Sequence, residues 1–75
     1  MTAAYILIQM NATDPRKVMA SIRAATGVKQ AHLLMGPIDC IAYVETNSLA
    51  SLGDTVVALR SVNGVVSTDT RIVVT

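Results

Sequence analysis

The chain has 75 residues, 52% of them hydrophobic, and its six Lys and Arg against five Asp and Glu give a formal net charge of +1. This length predicts a single domain, residues 1–75, and the charge excludes the basic surface that nucleic-acid binding requires. The one cysteine, Cys40, excludes an internal disulfide and a CxxC metal site. No apolar run approaches the roughly 20 residues of a membrane span, and the start lacks a signal peptide, so we expect a cytoplasmic protein.

A strand and a helix are predicted in the first third of the chain. Residues 4–11 form a short apolar run with apolar side chains at both parities, which is typical of a central strand. Thr13-Asp14-Pro15 predicts a helix start, because Thr13 or Asp14 can cap it and proline suits the first helical position. Gly27 is expected to end this helix. Its predicted buried stripe consists of Val18, Met19, Ile22 and Ala25.

The rest of the chain predicts two strands, a second helix and a last strand. The strands cover residues 28–35 and 39–45, and the last strand covers residues 65–74. The helix follows cap candidates at Thr46-Asn47-Ser48 and ends near Asn63-Gly64. Gly53 in its interior indicates close packing at that position. The predicted apolar stripe of this helix consists of Leu49, Leu52, Val56 and Leu59.

An internal repeat supports this division. Residues 23–28 and 60–65 share the pattern R-x-x-x-G-V, 37 residues apart, and each copy closes a helix and opens a strand. The chain is therefore predicted to be β-α-β followed by β-α-β, an α+β protein of the ferredoxin-like class with a four-stranded antiparallel sheet. Right-handed crossovers place both helices on one face of this sheet.

The opposite face of the sheet is predicted to be uncovered and partly apolar. The strands have apolar residues at both parities, with Leu7, Ile41 and Tyr43 on the face opposite to that of Ile6, Ile8, Ala42 and Val44. An apolar sheet face in water favours association with a second subunit, so we expect a homodimer formed through the sheets. Such an association has the form of a dimeric α/β barrel.

Candidate ligand-binding groups surround the connection between the two middle strands, formed by Gly36, Pro37, Ile38 and Asp39. The carboxylate of Asp39 can accept from the ammonium group of an amino acid. Turn amides and the hydroxyls of Thr68 and Thr70 can donate to its carboxylate. An alternative stays open, in which Asp39 only stabilises the hairpin and the two threonines are ordinary strand residues.

Little in the sequence points to catalysis. His32 is the only histidine and is interpreted as a strand residue at a subunit contact or at the rim of the sheet. Cys40 is interpreted as a small buried apolar residue rather than a reactive thiol. Asp39, Glu45 and Asp69 form an acid pair only if the fold brings two of them together. We expect no cofactor, no metal and no enzymatic activity, with a small dimeric α+β barrel enzyme as the alternative.

The sequence resembles a known family in an ordered set of short motifs. These are Gly27-Val28, the G-x-x-D of residues 36–39, Gly64-Val65, and the T-x-T of Thr68 and Thr70. Over roughly residues 4–74 it is similar to the effector-binding domain of the leucine-responsive/AsnC (Lrp/AsnC) transcriptional regulators, also called the RAM domain. The regulators carry an N-terminal helix-turn-helix domain, whereas this sequence begins at the first RAM strand, so a stand-alone RAM protein is expected.

This resemblance implies an assembly and a ligand. Dimers formed through the sheets would close into a ring of dimers, an octamer or decamer, with an amino-acid effector bound between neighbouring dimers. Gly36, Pro37, Ile38 and Asp39 would contribute to that pocket, and Thr68 and Thr70 would line it from the adjoining dimer. Many family members have an aromatic residue where this sequence has Ile38. Modulation of amino-acid-responsive transcription by co-assembly with full-length regulators is the implied function, and a purely structural ring is the alternative.

Overall fold

The architecture follows the predicted order of elements. The computed structural model describes residues 1–36 and 38–74. Its elements are β1 (Thr2–Met10), α1 (Pro15–Ala24), β2 (Val28–Leu33), β3 (Cys40–Thr46), α2 (Leu49–Arg60) and β4 (Val65–Ile72). This βαββαβ order confirms the predicted ferredoxin-like class. Three strand boundaries differ by two residues: β1 begins at Thr2 rather than at residue 4, β2 ends at Leu33 rather than at residue 35, and β4 ends at Ile72 rather than at residue 74.

Both helices begin as their sequences predict. The carboxylate of Asp14 accepts from the backbone N–H of Lys17, and Pro15 occupies the first turn of α1. At the start of α2, the hydroxyl of Ser48 accepts from the backbone N–H of Ser51 at 3.1 Å. Neither helix has the length and apolarity to traverse a bilayer within the described residues.

The four strands form one antiparallel sheet in the order β2-β3-β1-β4. β1 and β3 are central, and β2 and β4 are the two edges. The register of each edge pair shifts by one residue near one end: at Lys29 in β2, and at Val66 in β4. Each shift leaves one extra residue on the edge strand, which is a β-bulge.

The core lies between the helices and one face of the sheet. Alternate residues of the central strands are fully buried because both helices cover that face. The buried apolar residues are Ala4, Ile6, Ile8, Val18, Met19, Ile22, Ala31, Cys40, Ala42, Val44, Leu52 and Leu59. The core is therefore aliphatic, and the opposite sheet face has no covering element among the described residues.

Two predictions about α2 are wrong. Leu49 was expected in the buried stripe but its side chain is 64% exposed, and Thr55 is buried instead. The hydroxyl of Thr55 donates to the carbonyl of Thr26 at 2.8 Å, so its burial leaves no unpaired polar group. Gly53 was expected at a close contact, but a Cβ placed there would meet no atom within 4 Å.

Candidate functional site

The connection between β2 and β3 is closed by one backbone hydrogen bond. The N–H of Leu34 donates to the carbonyl of Asp39 at 2.7 Å. Gly36 has φ +112°, a conformation that L side chains rarely adopt, so the tip of the connection depends on a glycine. Met35 is fully exposed beside it. Pro37, one of the predicted site residues, lies outside the described residues.

Asp39 connects this turn to the end of β1. Its backbone N–H donates to the carbonyl of Ile8 at 3.2 Å, and its Oδ2 accepts from the backbone N–H of Met10 at 2.9 Å. Its Oδ1 accepts no hydrogen bond from the other described residues. Asp39 thus has a structural contact through one carboxylate oxygen and one oxygen left to accept from a ligand.

Thr68 and Thr70 lie on the other side of β1. They pair with Ile8 and Ile6, so their side chains project from the face that the helices cover. Both residues are partly buried, and neither side-chain hydroxyl bonds to another described residue. Two hydroxyl donors therefore sit in a row along β4 without a protein acceptor.

One subunit does not bring the predicted site residues together. Gly36, Ile38 and Asp39 follow β2, whereas Thr68 and Thr70 belong to β4, and both β3 and β1 lie between these two strands. The three cavities that lie along α2, α1 and β2 are lined by none of these five residues. A pocket that uses both groups must therefore include a second subunit.

The uncovered sheet face has an apolar centre with a polar margin. The rings of Tyr5 and Tyr43 lie 5.1 Å apart between their centroids. Leu7 and Ile41 pair across β1 and β3 on the same face. On β4, Arg71 forms an ion pair with Asp69 at 2.9 Å. This distribution resembles a protein interface, in which an apolar centre is surrounded by polar residues.

Two pKa shifts accompany the polar groups of this face. The phenol of Tyr43 donates to Oε2 of Glu45 at 2.9 Å, and this hydrogen bond raises the pKa of Tyr43. The guanidinium of Arg71 lowers the pKa of Asp69 through a similar contact. Glu45 and Asp69 each have their own partner and do not form an acid pair with Asp39.

The remaining reactive side chains of the described residues, Cys40 and His32, lie on β3 and β2. Cys40 is fully buried, as predicted, and burial raises the pKa of its thiol, which disfavours the reactive thiolate. His32 is exposed on the edge strand β2. Among residues 1–36 and 38–74, no group of three or more His, Cys, Asp or Glu side chains is placed to hold a metal ion.

Sequence reasoning missed two grooves beside the helices. The larger, of about 500 Å³, lies along α2 and includes Thr26, Lys29, Asp54 and Thr55 in its lining. We call it the α2 groove. The smaller, of about 390 Å³, lies along α1 and includes Lys17, Val18 and Gly64. We call it the α1 groove. The 37-residue repeat was the sequence signal that could have located this pair, since it relates the two helix-to-strand junctions.

Comparison with known proteins identifies the family. The chain matches the family described as the Lrp/AsnC ligand binding domain over residues 3–75. It belongs to this family. None of the curated proteins compared with the chain matches it.

Solved structures agree with the Lrp/AsnC fold. FFRP-DM1 is 32% identical with a TM-score of 0.90, and the match covers 99% of this chain and 100% of that one. TTHA0845 from Thermus thermophilus is 25% identical with a TM-score of 0.92, covering 100% and 95%. The transcriptional regulator NMB0573 from Neisseria meningitidis, solved as an L-Met complex, is 23% identical with a TM-score of 0.86, covering 99% of this chain and 50% of that one.

Family membership confirms part of the sequence interpretation. The resemblance, the fold class and a ligand-binding domain of a regulatory family are as predicted. The six site residues, and the expectation of a single domain without a helix-turn-helix, stay predictions.

Proposed function

We propose that this domain is non-enzymatic and binds a free α-amino acid between subunits of an oligomer, as the effector-binding part of a regulatory assembly. The observation that carries the proposal is the hydrogen bonding of the Asp39 carboxylate. One carboxylate oxygen is fixed by the Met10 amide and the other is available, so an anionic acceptor is held in place before a ligand arrives. A fixed acceptor binds an ammonium group without first losing its own rotational freedom.

The rest of the amino acid can be held by groups of two subunits. The backbone amides of Gly36 and Ile38 can donate to its carboxylate. Thr68 and Thr70 of an adjoining subunit carry hydroxyls that have no acceptor among the described residues, so they can donate as well. Ile38 offers an aliphatic contact in place of a ring. The Neisseria regulator, crystallised with L-Met, supports an amino acid as the class of ligand.

The uncovered sheet face supports the oligomer that this site needs. Its apolar centre of Tyr5, Leu7, Ile41 and Tyr43 is the surface through which two subunits would pair. Further contacts between dimers, in a ring of eight or ten subunits, would bring the β2–β3 turn of one dimer towards β4 of another. Exposed apolar side chains beside this turn, Leu34 and Met35, support a contact there.

The ligand would act by linkage. An amino acid held between dimers stabilises the assembly that holds it. It changes which protein the chain assembles with only if it binds one assembly more tightly than the other. We propose that the partners are other copies of this chain and full-length Lrp/AsnC regulators in the cytoplasm, where co-assembly would pass on the ligand signal. This chain would make no direct contact with DNA.

A thermal-shift panel of the common amino acids at millimolar concentration tests the proposal. A ligand at about 100 times its Kd adds roughly 2.7 kcal/mol to the free energy of unfolding, which raises Tm by several degrees in a domain of this size. We expect such a shift with one amino acid or a few related ones. A panel without any shift would contradict amino-acid binding and favour a purely structural ring.

Paired variants separate binding from folding. Asp39→Asn keeps an acceptor for the Met10 amide but removes the charge, and Thr70→Val removes a hydroxyl at nearly constant volume. Both should retain most of the unliganded Tm and lose most of the ligand-induced shift. If the shift persists in both variants, the proposed pocket is wrong. A dimeric α+β barrel enzyme predicts instead that the ligand sits between the two sheets of one dimer.

A further inference from the structure

The two halves of the chain repeat each other in three dimensions at an offset of 37 residues. Gly27 and Gly64 have φ +93° and +102°. The carbonyl of Gly27 accepts from the N–H of Glu45 at 2.9 Å, and that of Gly64 accepts from the N–H of Asn11 at 2.8 Å. In each half a glycine after the helix is therefore bonded to the end of a central strand of the other half.

The repeat extends to the grooves and the bulges. Asp54 and Thr55 of the α2 groove correspond to Lys17 and Val18 of the α1 groove. The extra residue of the β2 bulge, Lys29, corresponds to Val66, the extra residue of the β4 bulge. The two halves share these backbone features. Where corresponding positions carry different side chains, the shared backbone does not explain the difference.

These differences concentrate polar groups in the α2 groove. The bulge position carries a lysine that lines this groove, whereas Val66 is apolar and does not line the α1 groove. Asp54 lines the same groove, and neither Lys29 nor Asp54 is in an ion pair within residues 1–36 and 38–74, where Asp69–Arg71 is the ion pair formed. Thr26, Thr46 and Ser51 line the same groove. A lysine and an aspartate thus line the same cavity without being paired with each other.

We propose that the α2 groove is a second binding site, within one subunit, for a small zwitterion such as a polar α-amino acid. Asp54 would bind the ammonium group and Lys29 the carboxylate. The groove volume of about 500 Å³ falls in the ordinary range of ligand sites, roughly 300–1,000 Å³. This site is distinct from the Asp39 site, because none of its lining residues belongs to the β2–β3 turn or to β4.

The physical reason for a zwitterion is that each charge alone is a weak ligand in an open groove. An exposed ion pair contributes only about 0.2–1 kcal/mol, a preference too small to retain acetate or an alkylammonium at millimolar concentration. Two such contacts on one rigid molecule act together, since binding the first charge places the second near its partner.

Amide-resolved NMR titration tests this site. The probes are glycine and L-serine, with acetate and methylammonium as ligands that carry one charge each. We expect the zwitterions to shift the amide signals of Gly27, Lys29 and Asp54. Acetate and methylammonium at equal concentration should leave them nearly unchanged. Groove signals that do not move with either amino acid, or that move as much with acetate, would overturn the proposal.

Single substitutions test whether the zwitterion-induced NMR shifts depend on the two charged residues of the α2 groove. Lys29→Ala and Asp54→Asn should each weaken the response by up to about fivefold, which corresponds to the loss of one exposed charge contact. Their exposed positions allow folding to persist, which the remaining amide signals report. The matched control is Lys17→Ala, at the position that corresponds to Asp54, and its response should equal that of the unmodified chain. A response retained in both groove variants, or lost equally in the control, would contradict the assignment. Asp39→Asn should leave it intact, which keeps this test separate from that of the first site.

Discussion

At the scale of single residues, Asp39 combines a structural and a proposed binding role. Its backbone N–H bonds to Ile8, its carbonyl accepts from Leu34, and Oδ2 accepts from Met10. These contacts join the turn to the end of β1, so the position of the free oxygen Oδ1 is set by the fold. Of the two interpretations that the sequence left open, the stabilising role is present in the structure, and the binding role stays compatible with it.

The structural role predicts a difference between two substitutions of Asp39. Asp39→Ala leaves the Met10 amide, which is part-buried, without an acceptor, and such a loss costs about 1–3 kcal/mol in free energy of unfolding. Asp39→Asn keeps an acceptor oxygen and should cost clearly less. Urea unfolding of both variants measures the difference. Equal costs would show that the Met10 contact does not stabilise the turn.

The contact between Tyr43 and Glu45 predicts a pH effect. The hydrogen bond raises the pKa of Tyr43 above its ordinary value of 10.0, because the phenol must stay protonated to donate. The folded state therefore holds this proton more tightly than the unfolded state. The stabilisation is present below the unfolded pKa and is lost as pH rises through the folded one.

Phenolate absorbance measures this pKa directly. In a Tyr5→Phe background, which leaves one tyrosine, Glu45→Gln should lower the pKa of Tyr43 towards its ordinary value, since the anionic acceptor is removed. An unchanged or higher pKa in the Gln variant would contradict the assigned cause.

At the scale of elements, two glycines in the second half of the chain have opposite effects on stability. Gly53 lies inside α2 with open space around it, whereas Gly64 has φ +102° and a Cβ there would lie 2.9 Å from Cγ2 of Val18. Gly53 therefore lowers the stability of α2 without a packing reason visible in one subunit, and Gly64 is required by the junction of α2 and β4.

Alanine substitutions should separate the two glycines. Gly53→Ala should raise the free energy of unfolding by about 0.5–1 kcal/mol, because alanine has less backbone freedom to lose and a better helix propensity. Gly64→Ala should lower it by more than that, through strain at positive φ and the clash with Val18. Chemical denaturation of both variants measures whether each substitution raises or lowers the free energy of unfolding. A destabilised Gly53→Ala would indicate that another subunit packs against this helix.

Elements and their order were predictable from the sequence, because periodicity, caps and the repeat agree with one another. Which residues of α2 are buried was not predictable. Leu49 is exposed and Thr55 is buried, because the hydroxyl of Thr55 donates to the Thr26 carbonyl, a contact that exists only in the folded chain. The candidate site was predictable only as separate motifs. Its two parts lie on opposite sides of the central strands, and subunit contacts leave no local sequence signal.

At the scale of the whole molecule, the sheet divides the subunit into a packed side and an open side. On the packed side Ile6 and Ile8 of β1 and Val44 of β3 are fully buried, and on the open side Tyr5 remains 46% exposed. The aliphatic core thus uses only one of the two apolar faces that the sheet presents. Pairing of the open faces of two subunits would bury the second apolar face of each sheet.

A charge placed on the open face should prevent this pairing. Leu7→Lys puts an ammonium group at the centre of the face, across from Asp69, so the single subunit gains no like-charge repulsion at that pair. In light scattering after size-exclusion chromatography, we expect a monomer for this variant and a dimer or larger assembly for the unmodified chain. Val57→Lys, at an exposed apolar residue of α2, is the control and should keep the mass of the unmodified chain.

Sedimentation equilibrium, with and without the amino acid that gives the largest thermal shift, tests directly whether the ligand binds between subunits. A ligand bound between subunits must strengthen their association, since the binding and assembly equilibria are linked. We predict that saturating ligand shifts the chain towards larger assemblies at micromolar protein, and that Asp39→Asn abolishes this shift. An association constant that ligand leaves unchanged, with the ligand bound equally well by Leu7→Lys monomers, would contradict a site between subunits.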